Sequence, residues 1–423
     1  MMTKVILIPE FFPYGIATET FLESEVKYWA ERKDVELIIM PMKVGDDSRQ
    51  LPSSIKVDQS FANYLNKHGN HRISSKFYKI LYAIRVLFTT MFWTEIFAQK
   101  IFDIAKIKDL MLSMRKYFVY KHFFGSLQKQ YPEAIYYTYW HTEVTYALQR
   151  ILKGSRNKLI TRTHRFDLYE DTTLHNYMPL RRQFVRGLDH IFTITDSGID
   201  YLSTTYGFDK KNITTSRLGV DDKQINANAT GAGIFHIVSC SALRPVKRVD
   251  KIIDLLGKLS EQYPGVSFVW SHIGDGPLEK QIKEYAFTKL SRKENVQYNL
   301  LGMLSNEDVY SYYESHAVDV FINASESEGV PVSMMEAMSC HIPVVAPDVG
   351  GISDMIEDGY NGKLLSEKSE VDEYFIAFTD LSFFKDTAIR ENAYKVFKDK
   401  YLASENYRQF ILYLIHLCDD RIR

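Results

Sequence analysis

Two spacings of apolar residues alternate along the chain. Short apolar runs, such as "KVILIP" at 4–9 and "DVELIIMPM" at 34–42, predict strands that are buried on both faces. Between them, residues 17–33 place their apolar side chains at helical spacing. The order strand, helix, strand predicts the opening of a doubly wound parallel sheet.

The same order returns along the rest of the chain. Strand-like runs followed by loops or helices recur through residues 134–207 and restart at residue 233. Residues 218–233, rich in Gly, Asn and Asp, predict a linker between two domains. We expect domains at 1–218 and 219–399, with a C-terminal helix at about 400–423 packing back on the first domain.

The predicted fold class is therefore α/β, with two doubly wound, Rossmann-like domains. Ligands bind such sheets at the carboxyl ends of the strands. We expect these ends to face a cleft between the domains.

Composition excludes some classes of protein. Hydrophobic residues make up 45% and charged residues 25% of the 423 residues, as in soluble globular proteins. The net charge of −1 does not indicate a nucleic-acid partner. Cys240, Cys340 and Cys418 are far apart and have no metal-ligand spacing, so we expect reduced thiols.

No apolar segment predicts export or a membrane span. The N-terminal apolar run is too short for a signal peptide. The run at 80–97 is interrupted by Arg85 and Glu95, whereas a spanning helix needs about 20 mostly apolar residues. We expect a cytoplasmic protein.

Residues 72–124 place Lys and Arg among many aromatic residues. One interpretation is a surface that contacts the inner face of a membrane or a lipid-linked glycan. The other is a set of ordinary amphipathic helices packed on the core.

Two carboxylates flank a turn and a predicted helix. Glu328 and Glu336 lie eight positions apart, and Pro331 stands at the predicted start of the helix. The amides of Gly329 and Val330, with the helix N-terminus, would suit an anionic ligand such as a diphosphate. The two carboxylates could then accept hydroxyl groups from the two ends of a nucleotide-sugar. The alternative is an exposed Glu and a helix-surface Glu.

Cations and glycines add to this pattern. Arg244, Lys247 and Arg248 follow a predicted strand, where cations can neutralise phosphates; the alternative is a solvated helix start. Gly274 and Gly276 form a turn after the next strand and would permit close approach of a ligand.

Together these motifs resemble the retaining nucleotide-sugar glycosyltransferases of the group 1 family (glycosyltransferase family 4-like), of the bacterial polysaccharide biosynthesis type, which have the GT-B fold. The matching segments of the second half, in family order, are 238–253, 272–282, 300–309, 327–356 and 358–365. Weaker matches in the first half are 13–30, 136–140, 161–171 and 217–222. Residues 50–130 diverge.

The resemblance implies a role for each site residue. Glu336 would bind the ribose hydroxyls, Glu328 the donor hexose, and Lys247 the departing diphosphate. The segment formed by Gly329, Val330, Pro331 and Val332 would contact sugar hydroxyls or phosphate. His164 would lie over the donor sugar, although a core histidine at a strand end is the alternative, and Gly15 would let the N-terminal loop approach the phosphates.

One position departs from the family pattern. An arginine usually stands five positions before the matching lysine, and here that position is Ala242. Arg244 or Arg248 could replace it. No acidic metal-binding pair stands out, so we expect no metal and no cofactor.

The implied reaction transfers a hexose-type sugar from a UDP- or GDP-sugar to a hydroxyl of a glycan or lipid-linked acceptor, with retention of configuration. Cell-surface polysaccharide synthesis is the expected setting. The alternative is a catalytically inactive glycan- or nucleotide-sugar-binding subunit of the same fold. A dinucleotide oxidoreductase is disfavoured because no Gly-x-Gly-x-x-Gly follows the first strand.

Overall fold

The computed structural model describes residues 2–15, 18–68 and 76–419. The chain divides into unit 1, Met1–Arg217 with Tyr407–Arg423, and unit 2, Leu218–Asn406. The division lies one residue from the boundary expected at 218. The chain returns to unit 1 at Tyr407, later than the expected position near 400, because residues 400–406 still pack in unit 2.

Seven described strands of unit 1 form one parallel sheet. They are β1 (Thr3–Ile8), β2 (Val35–Ile39), β3 (Lys56–Val57), β4 (Ile135–Thr138), β5 (Lys158–Thr163), β6 (His190–Thr193) and β7 (Ile213–Thr215). Their order is β3-β2-β1-β4-β5-β6-β7, and every pairing is parallel. The order reverses between β1 and β4, which is the point where such sheets bind ligands.

Helices cover this sheet. They are α1 (Thr20–Ala30), α2 (Ser60–His68), α3 (Lys76–Leu87), α4 (Thr90–Gln99), α5 (Ile104–Leu127), α6 (Glu143–Ile151) and α7 (Asp196–Tyr201). Thr89 and Asp103 cap α4 and α5 by accepting a backbone N–H. One face of α5 is buried in the core.

A buried ion pair joins α1 to the sheet. Arg162 Nη1 donates to Glu25 Oε2 at 2.6 Å, and both side chains are fully buried. Arg162 Nη2 also donates to Ser216 Oγ at 2.7 Å, and Glu25 Oε1 accepts the indole N–H of Trp29 at 3.1 Å. These hydrogen bonds partly replace the water that the buried carboxylate and guanidinium lose on folding.

Unit 2 repeats the plan with six described strands. They are β8 (Ile234–Cys240), β9 (Ser267–Ile273), β10 (Val296–Leu300), β11 (Val320–Ile322), β12 (Val344–Pro347) and β13 (Gly362–Leu365). The parallel sheet has the order β10-β9-β8-β11-β12-β13, with its reversal between β8 and β11. The prediction of two doubly wound, Rossmann-like domains is confirmed.

The helices of unit 2 complete the chain. They are α8 (Val249–Gln262), α9 (Glu279–Leu290), α10 (Asn306–Ser315), α11 (Val332–Ser339), α12 (Val371–Ala377), α13 (Thr387–Lys400) and α14 (Ala403–Asp419). From Tyr407 onward, α14 belongs to unit 1, where Tyr407 stacks on Tyr28 and Phe410 contacts Trp29. A C-terminal helix thus packs on the first unit.

The predicted linker at 218–233 is irregular, as its composition predicts, and it packs in unit 2, within the expected second domain. The N–H of Val220 donates to Tyr401 O at 3.0 Å, that of Ala227 to Cys340 O at 3.1 Å, and that of Thr230 to Asp319 Oδ1 at 2.8 Å. The Gly and Asn content predicted the lack of regular structure. It could not show that distant residues accept hydrogen bonds from the backbone of this segment.

Two further expectations concern thiols and membrane spans. Cys240 and Cys340 are free thiols, while the side chain of Cys418 lies outside the described part. Within residues 2–15, 18–68 and 76–419, no helix is long and apolar enough to cross a bilayer.

The Glu25–Arg162 pair generates a stability prediction. We expect Glu25→Ala to lower the free energy of unfolding by about 3–5 kcal/mol, because it leaves a buried guanidinium without its anion. In contrast, Glu31→Ala, which removes a half-exposed partner of Arg408, should cost about 1 kcal/mol or less. Urea unfolding monitored by Trp fluorescence would measure both losses, and equal losses would contradict the role given to burial.

Candidate active site

An ion pair joins two loops at the carboxyl edge of the unit 2 sheet. Lys247 ends a short turn after β8, and Glu328 lies in the loop between β11 and α11. Lys247 Nζ donates to Glu328 Oε1 at 2.5 Å, and Asn323 Nδ2 donates to the same oxygen at 3.0 Å. The fold thus brings together two predicted site residues that are 81 positions apart.

Glycine packing supports the loop that holds Glu328. Gly350 has φ +63°, and a Cβ there would lie 1.8 Å from the carbonyl oxygen of Glu328. The next residue, Gly351, donates its N–H to Gly329 O at 2.7 Å. Any side chain at 350 would therefore displace the backbone on which the carboxylate stands. Sequence reasoning did not give Asn323 or Gly350 a role, although a Gly-Gly pair after a predicted strand was visible.

Helix α11 places the second carboxylate. Pro331 is its N-cap and Val332 its first residue, as predicted. Glu336 lies one turn in, with only 7% of its surface exposed, and accepts a hydrogen bond from Asn306 Nδ2. Burial raises the pKa of Glu336 to about 7, while the Asn306 bond opposes that rise.

The interpretation of both Glu as surface residues is wrong. Glu328 is 8% exposed, comparable to Glu336, so both carboxylates are held among protein atoms. A side chain buried at this level normally has a positional or chemical role, since its burial is costly. Val330 and Pro331, between the two, are buried as well, and Gly329 and Val332 are partly exposed.

The two candidate arginines differ in their surroundings. Arg248, in the left-handed region at φ +45°, caps α8, donates to Asp250 Oδ2 at 2.9 Å and pairs with Glu326. Arg244 is exposed, and its side chain has no ion pair or hydrogen bond among the described residues. Arg244 is therefore the guanidinium available to a ligand, whereas Arg248 would first have to leave two carboxylates.

Gly274 and Gly276 pack against the protein's own backbone. Their φ values are +130° and +156°, and a Cβ would lie 2.1 Å from Ser241 O in the first case and 2.7 Å from Leu243 O in the second. The N–H of Leu243 also donates to Asp275 O at 2.8 Å. The two glycines thus position the loop that leads to Arg244 and Lys247.

In unit 1, a carboxylate organises the loop after β1. Glu19 accepts the backbone N–H groups of Glu10, Phe11 and Phe12 at 2.9, 2.8 and 2.7 Å. Gly15, within this loop, has φ +64° and donates its N–H to Asp47 O at 3.3 Å. The glycine is required by the turn, and residues 16–17 beside it lie outside the described part.

His164 follows β5 directly and is buried among aromatic rings. The centroids of Trp140 and Tyr139 lie 4.3 and 4.7 Å from its ring. Neither ring nitrogen has a hydrogen-bond partner in the described structure. Burial, with the charge of Arg162 adding to it, lowers the pKa of His164 well below its ordinary value. The ring is a neutral imidazole, able to accept or donate one hydrogen bond at each nitrogen according to its tautomer.

The buried carboxyl of Glu336 predicts a pH effect. Its folded pKa of about 7 lies above the usual 4.5, so the folded state binds the extra proton between these values. Stability should fall as the pH rises from about 4.5 to about 7, by on the order of 1–3 kcal/mol from this group. Glu336→Gln should flatten that fall in the free energy of unfolding, measured in urea at pH 5 and pH 8. Parallel pH profiles for the two proteins would contradict it.

Comparisons with known proteins show what this chain is similar to. Residues 221–396 match the family model described as "Glycosyl transferases group 1". The protein named "Putative colanic acid biosynthesis glycosyltransferase WcaL" from Escherichia coli (strain K12) is 29% identical over 235 residues, covering 53% of this chain and 55% of that protein. The chain thus spans about half the length of the curated relatives it matches.

Solved structures show the fold. The lipopolysaccharide outer core galactosyltransferase WaaB, in its apo form, aligns over 97% of this chain and 99% of its own with a TM-score of 0.65 at 16% identity. Alr3699/HepE of Anabaena, solved in complex with UDP, aligns over 98% and 100% with a TM-score of 0.60 at 17% identity. At these identities the likeness concerns the fold alone, which is GT-B, as predicted.

The family match covers the segment in which Lys247, Glu328 and Glu336 lie, together with Gly274 and Gly276. This segment of unit 2 is therefore similar to the group 1 glycosyl transferases.

Proposed function

We propose that the chain is a retaining glycosyltransferase. It would move a hexose-type sugar from a nucleoside diphosphate sugar to a hydroxyl of a glycan or lipid-linked acceptor, without a metal ion. The observation that carries this proposal is the Lys247–Glu328 pair, held between the two loops at the strand ends of unit 2. A cation and a carboxylate at one place fit a ligand that is anionic at one end and rich in hydroxyls at the other.

The donor diphosphate would contact Lys247. An ammonium has three N–H donors, and one of them is directed to Glu328, so two remain for phosphate oxygens. Arg244 would supply the second positive charge, in place of the arginine missing at Ala242. The first amides of α11 add the partial positive charge of a helix N-terminus.

The two carboxylates would hold the hydroxyls. Both described contacts of Glu328 fall on Oε1, so Oε2 can accept a hydroxyl of the donor hexose. Glu336 would accept the ribose hydroxyls, and two such donors would favour its ionised form and offset its burial. UDP is the first nucleotide to test, because a structural relative is solved with it.

The chemistry needs few protein groups. The bond between the anomeric carbon and the diphosphate oxygen breaks, and the acceptor oxygen bonds to that carbon on the same face. The acceptor proton passes to the departing phosphate oxygen, whose charge Lys247 and Arg244 would stabilise. The family resemblance assigns His164 to the donor sugar, where the neutral imidazole would bind a hydroxyl.

Exposed apolar side chains of unit 1 favour an acceptor at a lipid surface. Phe88, Phe97, Phe102 and Ile104, around the two ends of α4 and the start of α5, are each at least 70% exposed. Lys100 and Lys108 are exposed in the same stretch. Aromatic side chains beside lysines are typical of surfaces that bind anionic membranes. In the predicted segment 72–124, residues 72–75 lie outside the described part.

A loop close to His164 also exposes apolar side chains. Phe166 and Leu174 are exposed, and His175 Nδ1 contacts Asp109 Oδ2 at 2.6 Å, which ties this loop to the first turns of α5. Membrane contact here would bring a lipid-linked acceptor near the histidine. The other face of α5 packs in the core, so the interpretation as core helices also describes part of the segment. We place the protein in the cytoplasm, at the inner face of the membrane, in cell-surface glycan synthesis.

The inactive-subunit alternative rests on Ala242 alone. A binding-only protein would have no need for a cation directed at the leaving diphosphate. The exposed Arg244, two positions from Ala242, offers a substitute for the missing arginine. The alanine at position 242 therefore does not favour an inactive protein.

Nucleotide binding tests the donor site. Thermal shifts with UDP, GDP, ADP and their sugar conjugates should reveal one preferred nucleotide family, and Glu336→Ala should abolish its shift. A ligand at about 100 times its Kd adds roughly 2.7 kcal/mol, which raises Tm by several degrees. We expect Arg244→Ala to weaken that binding about 10-fold or more, since a hydrogen bond to a charged group contributes about 1.5–3 kcal/mol.

Arg248→Ala is the matched control, because its guanidinium is already held by two carboxylates, and its Kd should change by no more than about 3-fold. The reverse ranking of the two arginines would contradict the assignment. No shift with any nucleotide would favour the inactive alternative.

Membrane contact predicts a separate result. The full chain should float with vesicles containing about 30% anionic phospholipid, and the double variant Phe97→Glu/Phe102→Glu should remain unbound. Phe287→Glu, at a similarly exposed position on α9 of unit 2, should float like the wild type. Unbound wild type would contradict the lipid-surface proposal and leave the donor site unaffected.

A further inference from the structure

One buried carboxylate of unit 1 has no part in the donor site. Asp167, three residues after His164, is 3% exposed. Its Oδ1 accepts the backbone N–H of His164 at 2.6 Å, and its Oδ2 accepts that of His141 at 2.7 Å. A single side chain thus joins the main chain at two separate points.

These two points are the ends of neighbouring strands. His164 follows the last residue of β5, Thr163, and His141 lies three residues beyond the last residue of β4, Thr138. The parallel ladder of β4 and β5 ends at the pair Thr138–Thr161. Asp167 therefore links the segments that follow β4 and β5, beyond the point where the pairing of the two strands ends.

Burying the charged carboxylate of Asp167 at this position costs free energy. Burial raises the pKa of Asp167 to about 7, with the two amide bonds acting in the opposite direction. An apolar or amide side chain would often stabilise a buried site at least as well. What a carboxylate adds is two strong acceptors in one plane, which fix two N–H groups relative to each other.

Other buried groups hold the chain around His141. Arg181 Nη2 donates to His141 O at 2.5 Å, and its Nε to the Tyr146 hydroxyl at 2.9 Å. The Trp140 ring, 4.3 Å from that of His164, donates its indole N–H to Glu19 Oε1 at 2.6 Å. The main chain of His164 is thus held by Asp167, and its imidazole contacts the Trp140 ring at a tilted angle.

Both ring nitrogens of His164 are buried without a hydrogen-bond partner in the described structure, as are those of His141. Of the two side chains, His164 is 6% exposed and His141 is fully buried, so a ligand could reach only the first. A buried polar atom without a partner costs about 1–3 kcal/mol, which a ligand group could recover. His164 is thereby set up to receive a hydrogen bond that the protein does not supply.

We infer that Asp167 is a positioning residue for sugar transfer, fixing the main chain of His164 so that its imidazole can bind a hydroxyl of the sugar. This inference rests on the proposed function. Asp167 touches no substrate in this role and acts through His164.

The test compares Asp167→Asn with a control on the same strand. Asp189 also accepts a β5 backbone N–H, that of Leu159 at 2.8 Å, but at the opposite end of the strand. UDP release would be measured with UDP-glucose, UDP-galactose, UDP-N-acetylglucosamine and GDP-mannose (GDP release for the last), using the full chain. On the donor that the wild type turns over, Asp167→Asn should lower kcat about 10-fold or more, with the Kd for the free nucleotide unchanged. Asp189→Asn should keep kcat within about 2-fold of the wild type.

A double-variant cycle separates positioning from general damage. If Asp167 acts through His164, Asp167→Asn should lower kcat by less than about 3-fold in a His164→Ala background. Independent, multiplying losses would overturn the inference, as would wild-type kcat in Asp167→Asn. If Asp167→Asn does not fold, Asp167→Glu, which keeps the charge and displaces both amides, is measured in its place against the same criteria.

Amide exchange tests the link without any substrate. Hydrogen exchange should accelerate in Asp167→Asn at residues 139–142 and 163–166, and should stay unchanged there in Asp189→Asn. Unchanged exchange at both segments would overturn the inference. Should the wild type turn over none of the four donors, the proposed function fails, and this exchange result still decides whether Asp167 holds the two strand ends.

Discussion

The proposed donor site of unit 2 depends on the contact between Lys247 and Glu328. The pair joins the loop after β8 to the loop after β11, the two strands between which the sheet reverses its order. Nearby features serve this contact: Asn323 donates to the same carboxylate oxygen, and Gly350 lets the backbone of Glu328 lie against the next loop. An ion pair that is partly open to solvent contributes little to stability. Its value lies in placing a cation and an acceptor side by side.

Unit 1 uses carboxylates differently. There, Glu19 and Asp167 accept backbone N–H groups, three in the first case and two in the second, at the ends of β1, β4 and β5. Loops at these ends have no ladder to satisfy their amides, and a carboxylate satisfies several at once. Unit 2 therefore places a cation and a carboxylate side by side at its strand ends, while these carboxylates of unit 1 bind backbone amides. That division suits a reaction in which one partner is a diphosphate and the other a sugar hydroxyl.

The sequence predicted the sheets well because buried parallel strands are nearly continuous apolar runs, and β1, β8 and β9 are such runs. The start of α1 was predicted three residues early: Glu19 has a left-handed φ of 48° and binds the preceding loop, so the helix begins at Thr20. Propensity alone does not reveal such a contact. The hydrogen-bond partners of 218–233 were not predicted for the same reason, since they lie about 90 to 180 residues away.

At the site, residue type and spacing indicated Lys247, Glu328 and Glu336, but not how they are held. Asn306 and Asn323 are ordinary residues in the sequence and become recognisable only through their contacts with the two carboxylates. Arg244 and Arg248 were equivalent in the sequence, and they differ because Asp250 and Glu326 occupy only one of them. Asp167 lies in the matching segment 161–171 and had no assigned role, because one of its two acceptor bonds reaches His141, 26 residues away.

Isothermal titration of UDP and UDP-glucose into the wild type and Lys247→Met tests the central claim most directly. Met keeps much of the length of the lysine side chain and removes its charge. The account predicts binding to the wild type that is weakened about 10-fold or more in the variant, with the loss smaller at 0.5 M salt than at 0.05 M because salt screens the charge. Equal affinities for the two proteins would show that the diphosphate does not bind at the Lys247–Glu328 pair.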